Sequence, residues 1–149
     1  MEYTVIYSED KIRQALNALS NAKAVGFDLE TTHLNPRHGK IRLAQLSDGE
    51  NTFVIDAFKA DNPNILELLI PFLQAEFPRK VIQNSKFEHI WINHHLKCSI
   101  NGVFDTYLGS KLIDHRRDWK LDEVLSVLAD VRISKEEQKS DWGRRDLSK

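Results

Sequence analysis

The chain has 149 residues, of which 41% are hydrophobic and 29% are charged, and this length is typical of one soluble globular domain with its own core. Its 21 basic and 22 acidic side chains give a net charge of −1, which argues against a protein that coats nucleic acid nonspecifically but allows a local binding patch. The single cysteine, Cys98, excludes an internal disulfide and a cysteine-rich zinc knuckle.

The first part of the chain predicts four strands and one helix. Tyr3–Tyr7 is rich in β-branched and aromatic residues and predicts a short strand, and a helix begins after Ser8. Three more strands are predicted at Ala24–Glu30, Ile41–Ser47 and Thr52–Asp56. The connections between these three are too short for a parallel crossover, so we expect an antiparallel meander.

The second part alternates helices with short strands. Ile65–Leu73 has helical periodicity, and Pro71 should kink it or split it into two short helices. The remaining predicted elements are a strand at Lys80–Gln83, a helix at Ser85–Leu96, a strand at Val103–Phe104, a helix that ends at Ile113, and a helical face of Leu121, Val124, Leu125 and Leu128. This order predicts an α/β fold, a mixed sheet covered by helices.

The chain shows neither a long apolar segment nor a secretory signal. Glu67 and Pro71 interrupt the most apolar stretch well before the ~18 residues of a membrane helix. The start at Met1 is polar and leads directly into the first predicted strand. With the lone cysteine, these features lead us to expect a cytoplasmic protein without membrane association.

Two carboxylates lie on the second predicted strand. Asp28 and Glu30 share one of its faces, and the apolar Val25, Phe27 and Leu29 favour a central strand. Burying adjacent carboxylates is unfavourable unless a divalent cation lies between them, and oxygen ligands favour Mg²⁺ or Mn²⁺. The alternative to a metal site is that the strand ends at these residues and both carboxylates are exposed to solvent. On the Asp-x-Glu pattern alone, this alternative is favoured.

A third carboxylate, Glu88, lies on the helix that follows the predicted strand Lys80–Gln83. Asn84 and Glu88 are four residues apart and share a helix face, while Phe87 can pack inward. Glu88 could therefore project toward the two strand carboxylates, although an ordinary exposed helix glutamate has the same pattern. Asp105 competes as the third acid, but its position before a helix favours an N-cap.

Four segments, in this order, resemble the motifs of a known enzyme family. They are Phe27–Thr32 followed by Leu34 and Pro36, Ile41–Ser47, Asn84–Glu88, and Val103–Thr106. Lys135–Trp142 is similar to the stretch that leads toward the third motif of the same family. Each segment is a weak signal alone. Together they resemble the DEDD-type 3′–5′ exonucleases, in particular the ribonuclease D and proofreading-domain type, over nearly the whole chain.

This resemblance implies a ribonuclease H-like fold and the hydrolysis of nucleotides from the 3′ end of DNA or RNA with Mg²⁺ or Mn²⁺. By position, it assigns catalysis and metal binding to three acids, Asp28, Glu30 and Glu88. It assigns binding of the single-stranded 3′ end to Thr31, Leu34, Asn84 and Phe87.

The chain departs from the family pattern at two places. Glu88 stands where the family has an aspartate, and its extra methylene matters because such sites need placement within ~0.5 Å. The third motif, Tyr or His followed four residues later by Asp, is expected just beyond Lys149. We therefore expect residues 1–149 to form one exonuclease-like domain that lacks its C-terminal motif and, alone, hydrolyses weakly or not at all.

Two other interpretations are open at this stage. In one, the chain is half of a split exonuclease, and a partner chain or another copy in a homo-oligomer supplies the absent motif. In the other, the chain is a catalytically silent module that binds nucleic acid or protein.

Basic side chains and histidines give weaker signals. The turn Arg37–Lys40, together with Arg42, either contacts phosphates or is an ordinary solvated turn. His89, His94 and His95 lack the spacing of a zinc site, so we expect them to be surface or partly packed residues.

Overall fold

In the described part of the chain, residues 2–133 and 142–144 of this computed structural model, six strands form one mixed sheet in the order β1-β4-β3-β2-β5-β6. They are β1 (Thr4–Ile6), β2 (Ala24–Thr31), β3 (Ile41–Ser47), β4 (Thr52–Asp56), β5 (Arg79–Ile82) and β6 (Val103–Asp105). Strands β2, β3 and β4 pair antiparallel, whereas β1 is parallel to β4, and β5 is parallel to both β2 and β6. The predicted meander followed by parallel strands is confirmed.

Helices connect and cover these strands. They are α1 (Glu9–Leu19), a 3-10 helix (Ile65–Leu69), α2 (Ile70–Gln74), α3 (Lys86–Leu96), α4 (Thr106–Ile113) and α5 (Leu121–Leu128). Pro71 lies in the first turn of α2, where a backbone amide has no partner within the helix, so a residue without an amide is tolerated. The segment is therefore split into two short helices, as predicted. No helix among the described residues is long and apolar enough to cross a membrane.

The core lies against the face of β2 opposite Asp28 and Glu30. Val25, Phe27 and Leu29 alternate with the two acids and are each less than 5% exposed. On α1, Ile12, Ala15 and Leu19 lie at helical spacing and are buried, and Leu16 on the same face is half-buried. Since β2 lies inside the sheet, between β3 and β5, the prediction of a central strand is confirmed.

Strand β3 departs from simple alternation at Arg42. A register shift places Leu43 opposite Glu30 but Ile41 opposite Thr31, so Arg42 pairs with no residue of β2. The Arg42 side chain is fully buried and forms an ion pair with Asp56. The interpretation of Arg42 as part of an exposed basic turn is therefore wrong.

The last helix forms as predicted, but it lies at the surface. None of the side chains on α5 is buried, and its closest packing among the helices is with α4. This pair of helices nevertheless matters for the site, because the segment between them borders the cavity described next.

Candidate active site

A cavity of about 920 Å³ opens at the carboxyl end of β2, beside the turn from β5 into α3. The sequence assigned seven residues to catalysis, metal binding or substrate binding, and the fold brings all of them to this cavity: Asp28, Glu30, Thr31, Leu34, Asn84, Phe87 and Glu88. These residues come from two segments that are far apart in the sequence, 28–34 and 84–88, so their convergence is a property of the fold.

Asp28 and Glu30 lie on the same face of β2, in the ladder with β3. Asp28 is opposite Gln45, whose Nε2 lies 3.5 Å from Asp28 Oδ2, at the limit of a hydrogen bond. Asp28 keeps access to solvent, yet the protein around it partly desolvates the carboxyl and raises its pKa, against the lowering effect of the Leu29 amide. Desolvation, with the nearby Asp28 charge, raises the pKa of Glu30 to about 7.

Glu88 is the most buried of the three acids. It lies in the first turn of α3, and only 3% of the residue is exposed. Burial raises the pKa of Glu88 to about 8, with smaller contributions from the charges of Asp28 and Asp105. Its Oε2 atom has no hydrogen-bond partner within the described structure. The interpretation of Glu88 as an exposed helix glutamate is wrong.

Asp105 fixes the start of the helix that carries Glu88. Its Oδ2 accepts hydrogen bonds from Ser85 N at 2.8 Å and Ser85 Oγ at 2.7 Å, and its Oδ1 caps α4 through Tyr107 N at 2.9 Å. Partial burial alone would raise the pKa of Asp105, but these bonds and one from the Asn84 amide hold it below the usual range. The prediction that Asp105 is an N-cap is confirmed.

Asn84 makes the turn from β5 into α3 possible. Its φ of 59° lies in the left-handed region, which asparagine tolerates better than most residues. Its carbonyl accepts a hydrogen bond from the Phe87 amide at 3.1 Å. This turn leaves the Asn84 side chain exposed and Phe87 half-buried at the cavity wall.

The donor chemistry of the three carboxylates suits a divalent cation. None of them forms an ion pair with a described side chain, and the unpartnered Glu88 oxygen is a buried acceptor that lacks a donor. Carboxylate oxygens are the hard ligands that Mg²⁺ and Mn²⁺ prefer. Among the described residues, no group of three or more His, Cys, Asp or Glu side chains is placed so that it could hold a metal ion by itself. Mg²⁺ commonly takes one or two carboxylates and completes its shell with water and substrate phosphate.

Sequence reasoning missed one wall of the cavity, the segment Asp118–Asp122, which leads into the first turn of α5. Trp119 in this segment is buried, with a φ of 54°, and its carbonyl accepts a hydrogen bond from Gln83 Nε2 at 2.8 Å. That contact links the wall to the end of β5. It joins residues 36 positions apart and follows no motif, so no local signal predicted it.

The C-terminal segment that resembles the approach to the third motif is described only in part. Residues 135–141 lie outside the described part of the chain. Trp142, at the end of that segment, lines the cavity together with the catalytic candidates. Of the segment Lys135–Trp142, Trp142 is thus the described residue that lies at the site.

Two of the histidines make defined contacts in the structure, His89 with backbone carbonyls and His95 with an aromatic ring. The ring nitrogens of His89 lie within hydrogen-bonding distance of two backbone carbonyls, 2.8 Å from Ser85 O and 3.2 Å from Ile100 O. The His95 ring stacks on Trp91 with centroids 5.2 Å apart. The expectation of surface or partly packed histidines is confirmed for these two, since His89 is half-buried and His95 is exposed.

Comparison with known proteins agrees with this geometry. The family model for a 3′–5′ exonuclease matches residues 3–149. The chain is 30% identical to DNA polymerase I of Aquifex aeolicus over 149 residues. This match covers 99% of the chain and 24% of the polymerase. Among solved structures, Brucella melitensis NrnC is 32% identical with a TM-score of 0.73, over 89% of this chain and 64% of NrnC. NrnC has also been solved with bound Mg²⁺ and bound to pGG.

The fold is shared with a more distant structure as well. Escherichia coli RNase D is 19% identical, with a TM-score of 0.86 over 99% of this chain and 39% of that protein. The expected ribonuclease H-like fold is thereby confirmed. The chain spans about a quarter of the polymerase that it matches. Because the family model covers nearly the whole chain, and the motif residues converge on one cavity, this chain belongs to the DEDD-type 3′–5′ exonucleases.

Proposed function

We propose that this exonuclease domain removes nucleotides from the 3′ end of single-stranded DNA or RNA, with Mg²⁺ or Mn²⁺ held by Asp28, Glu30 and Glu88. One observation carries the proposal. Three carboxylates with raised pKa values face the same cavity, and the most buried one has an oxygen without a hydrogen-bond partner. Perturbed acids of this kind cluster at functional sites more than at structural ones.

The chain's own residues set where the chemistry takes place. Asp28 and Glu30 are held by the ladder between β2 and β3, so the strand fixes their separation. Glu88 approaches from α3, whose first turn is fixed by Asp105. A bound divalent cation supplies Lewis-acid stabilisation of charge on phosphate oxygens and lowers the pKa of a coordinated water. DEDD exonucleases as a family depend on divalent metal, and NrnC has been solved with Mg²⁺.

The substrate side of the cavity is apolar at its mouth. Leu34 is 86% exposed, so its side chain is available for contact with the terminal base. Phe87 contributes a half-buried ring to the wall. Thr31 Oγ1 donates a hydrogen bond to the His33 carbonyl at 2.9 Å, so we assign it to shaping the loop that presents Leu34.

We also propose that a further acid and a water-orienting residue come from a C-terminal segment outside the described residues or from a partner chain. The position of Trp142 supports this, since Trp142 lines the same cavity as the three carboxylates. Trimming by residues 1–149 alone should accordingly be slow, and it should increase when the completing segment or chain is supplied.

A trimming assay tests the proposal. A 5′-labelled single strand incubated with the chain and Mn²⁺ should shorten stepwise from its 3′ end, and Asp28→Asn should abolish the shortening. Glu50→Gln is the matched control, because Glu50 is an exposed acid in the β3–β4 turn, at the end of the sheet far from the cavity. Equal trimming by the wild type and Asp28→Asn would contradict the assignment.

The same proteins distinguish an exonuclease from a catalytically silent binding module. A silent module should bind the strand equally well with and without Asp28→Asn. It should not trim the strand under any metal condition, even after the completing segment is added.

A further inference from the structure

A second concave surface adjoins the catalytic cavity. It is a groove of about 730 Å³ between the loop residues Asn35–Arg37 and the helix residues His94 and Lys97, which we call the basic groove. Among the described residues that line it, none is acidic. This is unusual on a chain whose net charge is −1. The groove therefore concentrates positive charge that the overall composition does not reveal.

The loop after β2 connects the two surfaces. Leu34 lines the catalytic cavity, and the next three residues, Asn35–Arg37, line the basic groove. The loop is held in a defined shape, since the Asn35 amide donates to His33 Nδ1 at 2.9 Å and the Arg37 amide donates to Asn35 Oδ1 at 3.0 Å. A strand that passes Leu34 thus reaches the groove across one rigid turn.

One face of α3 makes a second, independent connection. Phe87 lines the catalytic cavity, while Ile90, His94 and Lys97 line the basic groove. Ile90 and His94 are three and seven residues beyond Phe87, so these three side chains form one stripe along the helix. The stripe is about 10 Å long at 1.5 Å per residue, and Lys97 follows directly after the last residue of α3 with a left-handed φ of 55°.

The cations of the groove are available to an anion. Arg37 and Lys97 are exposed and form no ion pair with a described residue. Lys97 Nζ gives one hydrogen bond to the His94 carbonyl at 2.6 Å, which leaves two of its donors. On its other side, Arg37 faces an adjoining cavity that Asp61 and Glu67 also line, but neither acid forms an ion pair with it in the described structure.

The electrostatics of a neighbouring histidine agree with an excess of positive charge. Desolvation lowers the pKa of His95, and the charges of His94 and Lys97 lower it further. Pro36 and Ile90 contribute apolar surface to the same groove. A positively charged groove that follows the backbone is usual in proteins that bind single strands.

We propose that the basic groove binds backbone phosphates of the single strand on the 5′ side of the nucleotide being removed. The inference rests on the proposed function, because it requires the 3′ end to lie in the cavity beside Leu34 and Phe87. Arg37 and Lys97 contact the phosphates, and the stripe on α3 guides the strand between the two surfaces. The groove sets a minimum substrate length and makes binding of longer strands dependent on salt.

A charge-matched pair of double variants tests this proposal. Arg37→Gln/Lys97→Gln removes the two groove cations. Lys23→Gln/Arg79→Gln removes one lysine and one arginine from the exposed starts of β2 and β5, at the opposite end of the sheet. Both are built on Asp28→Asn, which prevents trimming. Fluorescence anisotropy then measures the affinity for a labelled strand of about ten nucleotides, within the usual range for such grooves, and a dinucleotide is measured by competition.

The groove variant should bind the long strand about tenfold more weakly at low salt, with a salt slope smaller by about 1.4, since each single-strand phosphate contact contributes about 0.7. Its dinucleotide affinity, and both affinities of the control variant, should stay unchanged. The proposal is overturned if long-strand binding is unchanged, if the control variant loses as much, or if both ligands weaken equally.

The results distinguish an error in the groove assignment from an error in the proposed function. If the wild type trims in an Asp28-dependent manner and the groove variant binds normally, the groove assignment alone is wrong. If the wild type neither binds nor trims, even with the completing segment supplied, both are wrong.

Discussion

The Arg42 guanidinium and the Asp56 carboxylate form a buried ion pair, with Nη2 2.9 Å from Oδ2 and the side chains 0% and 2% exposed. Arg42 Nη1 also donates to the Arg144 carbonyl at 3.0 Å, and its guanidinium lies 4.6 Å from the centroid of the Phe58 ring. The pair thus joins the start of β3 and the end of β4 to the C-terminal segment. Trp142, two residues before Arg144, lines the catalytic cavity, so this ion pair also anchors one wall of the site.

Removing one partner of this pair should be costly. Arg42→Met should lower the free energy of unfolding by about 3–5 kcal/mol, because Asp56 is left as a buried, uncompensated charge. Urea denaturation at neutral pH measures the loss. Arg42→Met/Asp56→Leu should recover a large part of it, since both charges are then absent. A single variant as stable as the wild type, or a double variant less stable than the single one, would contradict the pairing.

Stability should fall as the pH rises in the absence of metal. The pKa of Glu30 is raised from 4.5 to about 7 and that of Glu88 from 4.5 to about 8. Between the ordinary and raised values, the folded state binds more protons than the unfolded state, so the free energy of unfolding decreases with increasing pH. Urea denaturation in a chelator, from about pH 5 to about pH 8, should show this decline.

Glu88→Gln should flatten much of that decline and stabilise the metal-free protein at the upper end of the range, because the amide cannot ionise. Glu50→Gln, in the exposed β3–β4 turn, should keep the wild-type profile. A profile that is equally steep in Glu88→Gln would show that another group causes it.

Asp105 should matter for activity through the position of α3. Asp105→Ala removes the cap of α4 and the bonds to Ser85, which should cost about 1–2 kcal/mol of stability. It should also lower the trimming rate, since the first turn of α3 carries Glu88. Asp48→Ala is the matched control, because Asp48 accepts amide bonds in the distant β3–β4 turn. Asp48→Ala should lower the stability but leave the trimming rate at the wild-type value. If both variants trim at the wild-type rate, Asp105 has no positioning role.

The loop that presents Leu34 depends on close packing at Gly39. A Cβ at this position would lie 2.8 Å from His33 Cβ and 2.9 Å from Trp91 Cη2, closer than such atoms approach. Gly39→Ala should therefore cost about 1–3 kcal/mol in denaturation and weaken strand binding by displacing the loop. In Gly26→Ala, the nearest atom to the new Cβ is Ser47 O at 3.6 Å, so this control should have a smaller effect. Equal stability of the two variants would contradict the role of Gly39.

Much of the fold was predictable because its signals are local. The alternation of Val25, Phe27 and Leu29 with two acids marks β2, and the periodicity of Ile12, Ala15 and Leu19 marks α1. The three acids of the site were predictable because the motif segments occur in the order of the family, although each segment is a weak signal alone.

Two parts of the molecule were not predictable, for a common reason. The burial of Arg42 depends on a register shift between strands and on Asp56, and neither is visible in a sequence window around Arg42. The wall at Trp119 depends on a hydrogen bond from Gln83 and on a left-handed backbone conformation. Both features arise from long-range contacts, which local patterns do not encode.

The measurement that tests the central claim most directly is a calorimetric titration with Mn²⁺, because it reports on the three carboxylates without requiring turnover. The wild type and Glu50→Gln should bind Mn²⁺ with the same affinity, whereas Asp28→Asn should lose most of that affinity. Binding that is equal in all three proteins, or absent from the wild type, would contradict a metal site at Asp28, Glu30 and Glu88.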